Sequence, residues 1–256
     1  MSELLGVQPD EEVQVGFLAS PPLPDAPLVS TNDSYTGTAR FAGTAFDRAG
    51  DCGITSGAEH VLLPDPGERL PLSVRLVGDR KDERPIREAG RALVDIYSRI
   101  NVAVRVSYDF RPIVADGTAY PYAQVRRAYG GVRPPGVDVV HVMTDLFNGG
   151  IADCLGGIAL PEKAFSVGNV RYFAGGQETP VPGGVVAAHE IGHLLGAQHQ
   201  QSNCVEALPQ QALRPAKDGS IGPCTVMSPA ALQASETFST LERGTMRVFI
   251  RKHAKG

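Results

Sequence analysis

His189-Glu190-Ile191-Gly192-His193-Leu194-Leu195-Gly196-Ala197-Gln198-His199 is the stretch from which the rest of the chain can be ordered. Ala, Val, Ile and Leu crowd the residues from about 183 to 195, so a helix is predicted there. Residues four apart on a helix share a face, one turn apart. His189 and His193 can therefore offer their imidazoles to one metal ion. A catalytic zinc site uses three protein ligands and keeps a fourth position open. His199 lies off the shared face, and Gly196 supplies the left-handed turn that would bring it back under the metal. Glu190 follows His189 and can reach a water at the open position, where a carboxylate works as general base. By average residue usage, a chance His-Glu-x-x-His in 256 residues is roughly a one-in-a-hundred event. The further Gly and His at their offsets lower that by roughly several hundred-fold. A merely solvated histidine pair is thus a poor account of the motif.

Working outward, the upstream half alternates between two periodicities. Leu72, Val74 and Leu76 alternate with polar residues as a strand does. Pro85 suits a first helical turn, and Ile86, Ala89, Leu93, Ile96 and Ile100 recur at helical spacing, predicting a helix over 84–99. Val102, Val104, Val106 and Tyr108 give a second strand, 121–129 a short helix, and Val137 to Met143 a third strand. This order predicts an α/β layer with parallel neighbours. Two short strands are expected at 155–160 and 165–173. Downstream, 200–238 reads as irregular. Ser239-Thr240-Leu241-Glu242 has the form of a capping box opening a C-terminal helix, with Leu241, Met246, Phe249 and Ile250 as its apolar stripe. Residues 1–66 carry prolines, glycines and a few short strand candidates. The expected organisation is an extension at 1–66, small and β-containing, before a catalytic domain at 67–256.

Bulk properties narrow the function. The chain is 42% hydrophobic and 20% charged, with net charge −4. It has no Lys/Arg-rich run, so neither nucleic acid nor anionic membrane is an expected partner. No apolar run is long enough to span a bilayer, and no signal peptide is visible at the N-terminus. His60, His141 and His253 are isolated and read as structural or solvated.

The 189–199 segment resembles the zinc-binding signature of the metzincins, and Cys224-Thr225-Val226-Met227-Ser228-Pro229 resembles their Met-turn, with Met227 beneath the metal. Within that group the chain is most similar to the reprolysin (adamalysin-type) family. The features are the cysteines Cys204 and Cys224 around the loop after His199, the segment 144–149, and Gly157-Ile158-Ala159 followed by Ser166-Val167-Gly168. Three features depart from that family: Gln200 stands where Asp is usual, Cys224 is one residue further from Met227, and no C-terminal Cys is available to Cys154. The resemblance implies a twisted mixed sheet of about five strands above the zinc helix. It also implies one catalytic Zn2+, a protein or peptide substrate, and an antiparallel edge strand at Gly157, Ile158 and Ala159 on which substrate would pair. A monomeric endopeptidase is the expectation. The alternatives are a silent zinc-binding interaction module and a precursor kept latent by 1–66.

The same resemblance makes Cys204–Cys224 the candidate disulfide, which would favour an oxidising, extracellular setting. Cys52 has three readings: a disulfide to Cys154, a free buried thiol, or the inhibitory zinc-binding thiol of reprolysin propeptides, which Asp51-Cys52-Gly53 resembles.

Overall fold

In the computed structural model the described residues are 67–114, 120–146, 149–171, 183–199, 225–227, 236–240 and 242–255, with the backbone alone of 12–15, 37–40, 172–174, 177–182, 203–204, 221–222 and 241. In the N-terminal segment, β1 (Glu12–Val15) pairs antiparallel with β2 (Gly37–Arg40). The central sheet is built from β3 (Leu70–Gly78), β4 (Val102–Phe110), β5 (Val139–Met143), β6 (Gly150–Ala152) and β7 (Phe165–Gly168). Its order is β4-β3-β5-β7-β6. The first four strands run parallel, and β6 alone runs antiparallel, beside β7.

The connections explain the layers. Between β3 and β4 lies α1 (Glu83–Ser98), and between β4 and β5 lies α2 (Pro121–Ala128). The first crossover steps one way across the sheet and the second steps back over β3. Because such crossovers share one hand, opposite steps put their helices on opposite faces. Accordingly Tyr122 and Val125 of α2 pack with Val77, Val140, Val142, Phe165 and Val167 on one face. The other face carries Leu72, Val74 and Leu76 against α1, α3 (Gly183–Leu194) and α4 (Thr240–His253). β3 buries Leu72, Val74 and Leu76 on this face, while its other face carries exposed Pro71, half-buried Arg75 and buried Val77, as the alternation in its sequence requires. Before α3, β8 (Arg171–Ala174) and β9 (Gln177–Pro182) pair antiparallel. Ser239 caps α4 in a complete capping box with Glu242. Met246 and Ile250 are buried and Phe249 packs against them, whereas the Leu241 side chain lies outside the described residues.

One expectation needs correction. Gly157, Ile158 and Ala159 form a 3-10 turn and not a strand. The antiparallel edge is β6, Gly150–Ala152, seven residues upstream. Gly156 turns left-handed at φ 75°, and Gly157 is pressed against the Lys163 carbonyl and Leu194 at the end of α3. The segment therefore packs on the zinc helix and leaves the sheet. Among the described residues no helix is long and apolar enough to cross a membrane.

His141, in the middle of β5, is fully buried, with Nδ1 2.9 Å from Ser166 Oγ. Burial pushes its pKa down from the ordinary histidine value to about 3. The folded state thus refuses a proton that the unfolded chain takes up near pH 6.5. Stability is full above that pH and falls as the pH drops from about 6.5 toward 3. Between pH 7 and pH 5 this single group should remove about 2 kcal/mol. Urea unfolding of the wild type and His141→Asn at both pH values checks this: the variant should lose that much less on acidification.

Candidate metal centre

Helix α3 is mostly apolar and enclosed by packing on all sides. Each residue from Gly184 to Leu194 is buried. Two of its polar side chains, His189 and His193, lie one turn apart with ring centroids 4.9 Å apart. The helix ends in a Schellman motif: Ala197 N–H donates to the Gly192 carbonyl at 2.9 Å and Gly196 N–H to that of His193 at 2.9 Å. Gly196 has φ +86°. The reversal brings the His199 ring to 5.4 Å from His189 and 4.9 Å from His193. One ligand atom from each of the three histidines lies within 4.8 Å of the others.

The backbone decides which nitrogen faces inward. His189 Nδ1 donates to the Val226 carbonyl at 2.6 Å, and His193 Nδ1 donates to the Ala197 carbonyl at 2.7 Å. A carbonyl can only accept, so both protons sit on Nδ1 and both Nε2 atoms present lone pairs. Those two Nε2 atoms are 3.2 Å apart. Two lone pairs facing each other at that distance call for a cation between them. Zinc held at about 2.0–2.1 Å with tetrahedral angles would separate two imidazole nitrogens by about 3.4 Å, so the arrangement fits that ion.

Protonation does not compete. Burial first, then the charges of His193 and His199, hold His189 well below the ordinary histidine range. Burial brings His193 to about 4 against the opposing pull of the Ala197 carbonyl. Burial and His193 lower His199 in the same direction. All three are neutral near pH 7, the state a metal requires of an imidazole ligand.

Glu190 is fully buried one residue from His189. It lies under the sheet edge: a β-carbon on Gly150 would stand 2.6 Å from Glu190 Cδ and 2.7 Å from its Cγ. The start of β6 therefore passes directly over this carboxylate. Met227 is also buried, with its Sδ 2.6 Å from where a β-carbon on Gly192 would stand, so it lies beside the ligand-bearing helix. Residues 225–227 form a turn whose Val226 carbonyl holds His189.

The structure thus gathers His189, His193, His199, Glu190, Gly196 and Met227 in one place. It does not bring Gly157, Ile158 and Ala159 to the sheet edge. Cys154 is buried and disulfide-bonded, its partner lying outside the described residues. Cys204 is described in backbone only: β10 (Asn203–Cys204) pairs with β11 (Ile221–Gly222), aligning Cys204 with Gly222. The side chains of Cys52, Cys204 and Cys224 lie outside the described residues. Gly150 escaped notice in the sequence because Asn148-Gly149-Gly150 reads as a turn. The Val226 and Ala197 carbonyls escaped notice because main-chain groups leave no residue signature.

Residues 118–200 match the family described as metallo-peptidase family M12B, reprolysin-like. No curated protein matches the chain. Among solved structures it is similar to metalloproteinase-II from Bacteroides fragilis, at 14% identity and TM-score 0.44, covering 70% of this chain and 52% of that one. It is also similar to archaemetzincin from Methanopyrus kandleri, at 17% identity and TM-score 0.45, covering 74% and 99%. A third is a zinc-dependent peptidase from Methanocorpusculum labreanum, at 16% identity and TM-score 0.38, covering 68% and 99%. The chain spans about half the length of the Bacteroides protein.

Proposed function

We propose that this chain, which resembles the reprolysin-type metzincins and whose three histidines can hold one zinc ion, is a zinc-dependent endopeptidase that hydrolyses peptide bonds of proteins with Glu190 as general base. The observation that carries it is the convergence of three neutral imidazoles beside a buried carboxylate at a sheet edge.

Zinc, when bound, polarises the scissile carbonyl and makes water nucleophilic near neutral pH. The remaining work falls to the chain. His189, His193 and His199 hold the ion, with Val226 and Ala197 fixing the orientation of the first two. Glu190 accepts the proton of the attacking water and delivers it to the leaving amine. Among the described residues β6 is the terminal strand of the sheet, and the proposal places the substrate edge there, an extended peptide pairing main chain to main chain. This moves the proposed substrate edge from Gly157–Ala159 to Gly150–Ala152. A non-catalytic zinc module would have no use for Glu190. Residues 67–256 are the proposed catalytic unit, acting as a monomer and outside the cell. A Cys204–Cys224 disulfide around the loop after His199 is part of the proposal and rests on the family resemblance alone. Latency imposed by 1–66 would appear as activity that rises after proteolysis near residues 60–70.

The test is metal analysis joined to peptide-library cleavage. One zinc per chain is expected, with cleavage lost to a chelator and restored by stoichiometric zinc. A zinc-loaded chain that cleaves nothing in such a library, before or after proteolysis near residues 60–70, would refute the reading.

The contact between Gly150 and Glu190 gives a second expected result. Gly150→Ala drives a methyl group into Glu190 Cγ and Cδ. The carboxylate must shift, and a displacement near 1 Å can cost roughly 100-fold. Steady-state kinetics should show the loss in kcat, with zinc content unchanged.

A further inference from the structure

Glu242 makes more bonds than a helix cap needs. It is buried in the first turn of α4, with 6% of its surface exposed. Its Oε2 accepts from Ser239 N–H at 2.7 Å, and its own N–H donates to Ser239 Oγ at 3.2 Å, completing the capping box. The other oxygen, Oε1, faces away from α4 and accepts from Thr225 Oγ1 at 2.9 Å. Thr225 Oγ1 in turn accepts from Met227 N–H at 3.1 Å. Between them, Val226 N–H donates to the Thr237 carbonyl at 2.7 Å. The Val226 carbonyl is then left to receive His189 Nδ1 at 2.6 Å. One carboxylate therefore joins the start of α4 to the turn that orients a metal ligand.

We propose that Glu242 is a positioning residue for the zinc centre, clamping the 225–227 turn through Thr225 so that the Val226 carbonyl holds His189 with Nε2 toward the ion. This rests on the zinc reading above. Groups that orient a metal-bound histidine typically change metal affinity 10- to 100-fold when removed. A simple cap would act on helix stability and leave affinity alone.

Three full-length variants separate the two roles. Thr225→Val keeps side-chain shape and the whole capping box but cuts the link to Glu242. Glu242→Ala removes both cap and clamp. Ser239→Ala weakens the cap while leaving Glu242 bonded to Thr225. Zinc dissociation constants are measured by chelator competition, alongside the visible spectrum of the cobalt-substituted protein. Thr225→Val and Glu242→Ala should bind zinc 10- to 100-fold more weakly with altered cobalt spectra, and Ser239→Ala should stay within about twofold of wild type. If wild type binds one zinc and Thr225→Val binds as tightly with the same spectrum, the clamp is overturned and the zinc reading stands. If wild type takes up no zinc, both fall. Thr225→Val decides the matter even where Glu242→Ala does not fold.

Discussion

Glu190→Ala is expected to abolish peptide hydrolysis while leaving one zinc bound per chain. His189 and His193 take their orientation from the Val226 and Ala197 carbonyls, and His199 is brought in by the turn after α3. Metal content should therefore survive. A positioned general base contributes about 100- to 10,000-fold, and here one carboxylate is asked both to take and to return the proton. A loss in kcat/KM of at least about 1,000-fold is expected on a fluorogenic peptide. Glu190→Gln, which keeps the side chain's volume beneath Gly150, should lose as much. Removing a buried carboxylate relieves desolvation, so the melting temperature should hold or rise. A Glu190→Ala protein with full zinc and activity within tenfold of wild type would remove Glu190 from the chemistry.

Gly196→Ala carries the second large effect, on metal binding and stability together. Position 196 sits at φ +86°, where a β-carbon clashes with the following carbonyl, at a cost of about 1–2 kcal/mol. The methyl group would also stand 2.6–3.0 Å from three carbons of the Phe249 ring, and Phe249 is held in α4 against the core. Relief requires opening either the Schellman turn or the packing of α4 on α3. Opening the turn swings His199 away, since only two residues separate it from Gly196. The expected result is a zinc dissociation constant raised at least about 100-fold. The stability loss should be about 2–4 kcal/mol, in the range of backbone strain combined with overpacking. Chelator competition and urea unfolding measure the two. Wild-type zinc affinity in Gly196→Ala would mean that the left-handed turn does not place the third ligand.

How far the site could be read in advance depended on the range of each interaction. His189 and His193 share a face because of the helical repeat, and His199 returns because Gly196 ends the helix. Both are local effects spanning fewer than a dozen residues. The alternating strands at 70–78 and 102–110, the amphipathic helix at 83–98 and the Ser239 capping box are local in the same sense. Each was legible because spacing along the chain alone selects it.

The sheet edge shows where such reading ends. Gly-Gly-Ile-Ala occurs twice, at 149–152 and at 156–159. The first copy supplies β6 and the second a 3-10 turn. Identical tetrapeptides carry identical propensities, so nothing within them distinguishes strand from turn. The difference comes from neighbours remote in sequence: Gly168, Val167 and Ser166 pair with 150–152, while Leu194 and the Lys163 carbonyl crowd Gly157. The same holds for the second oxygen of Glu242, whose partner Thr225 is 17 residues away. Short-range periodicity and turn chemistry were sufficient to single out the three histidines and Glu190. Pairing across the sheet and contacts between distant turns decided which segment forms the antiparallel edge and which carbonyls hold the His189 and His193 rings, because those choices are made by burial and hydrogen bonding between segments that only packing brings together.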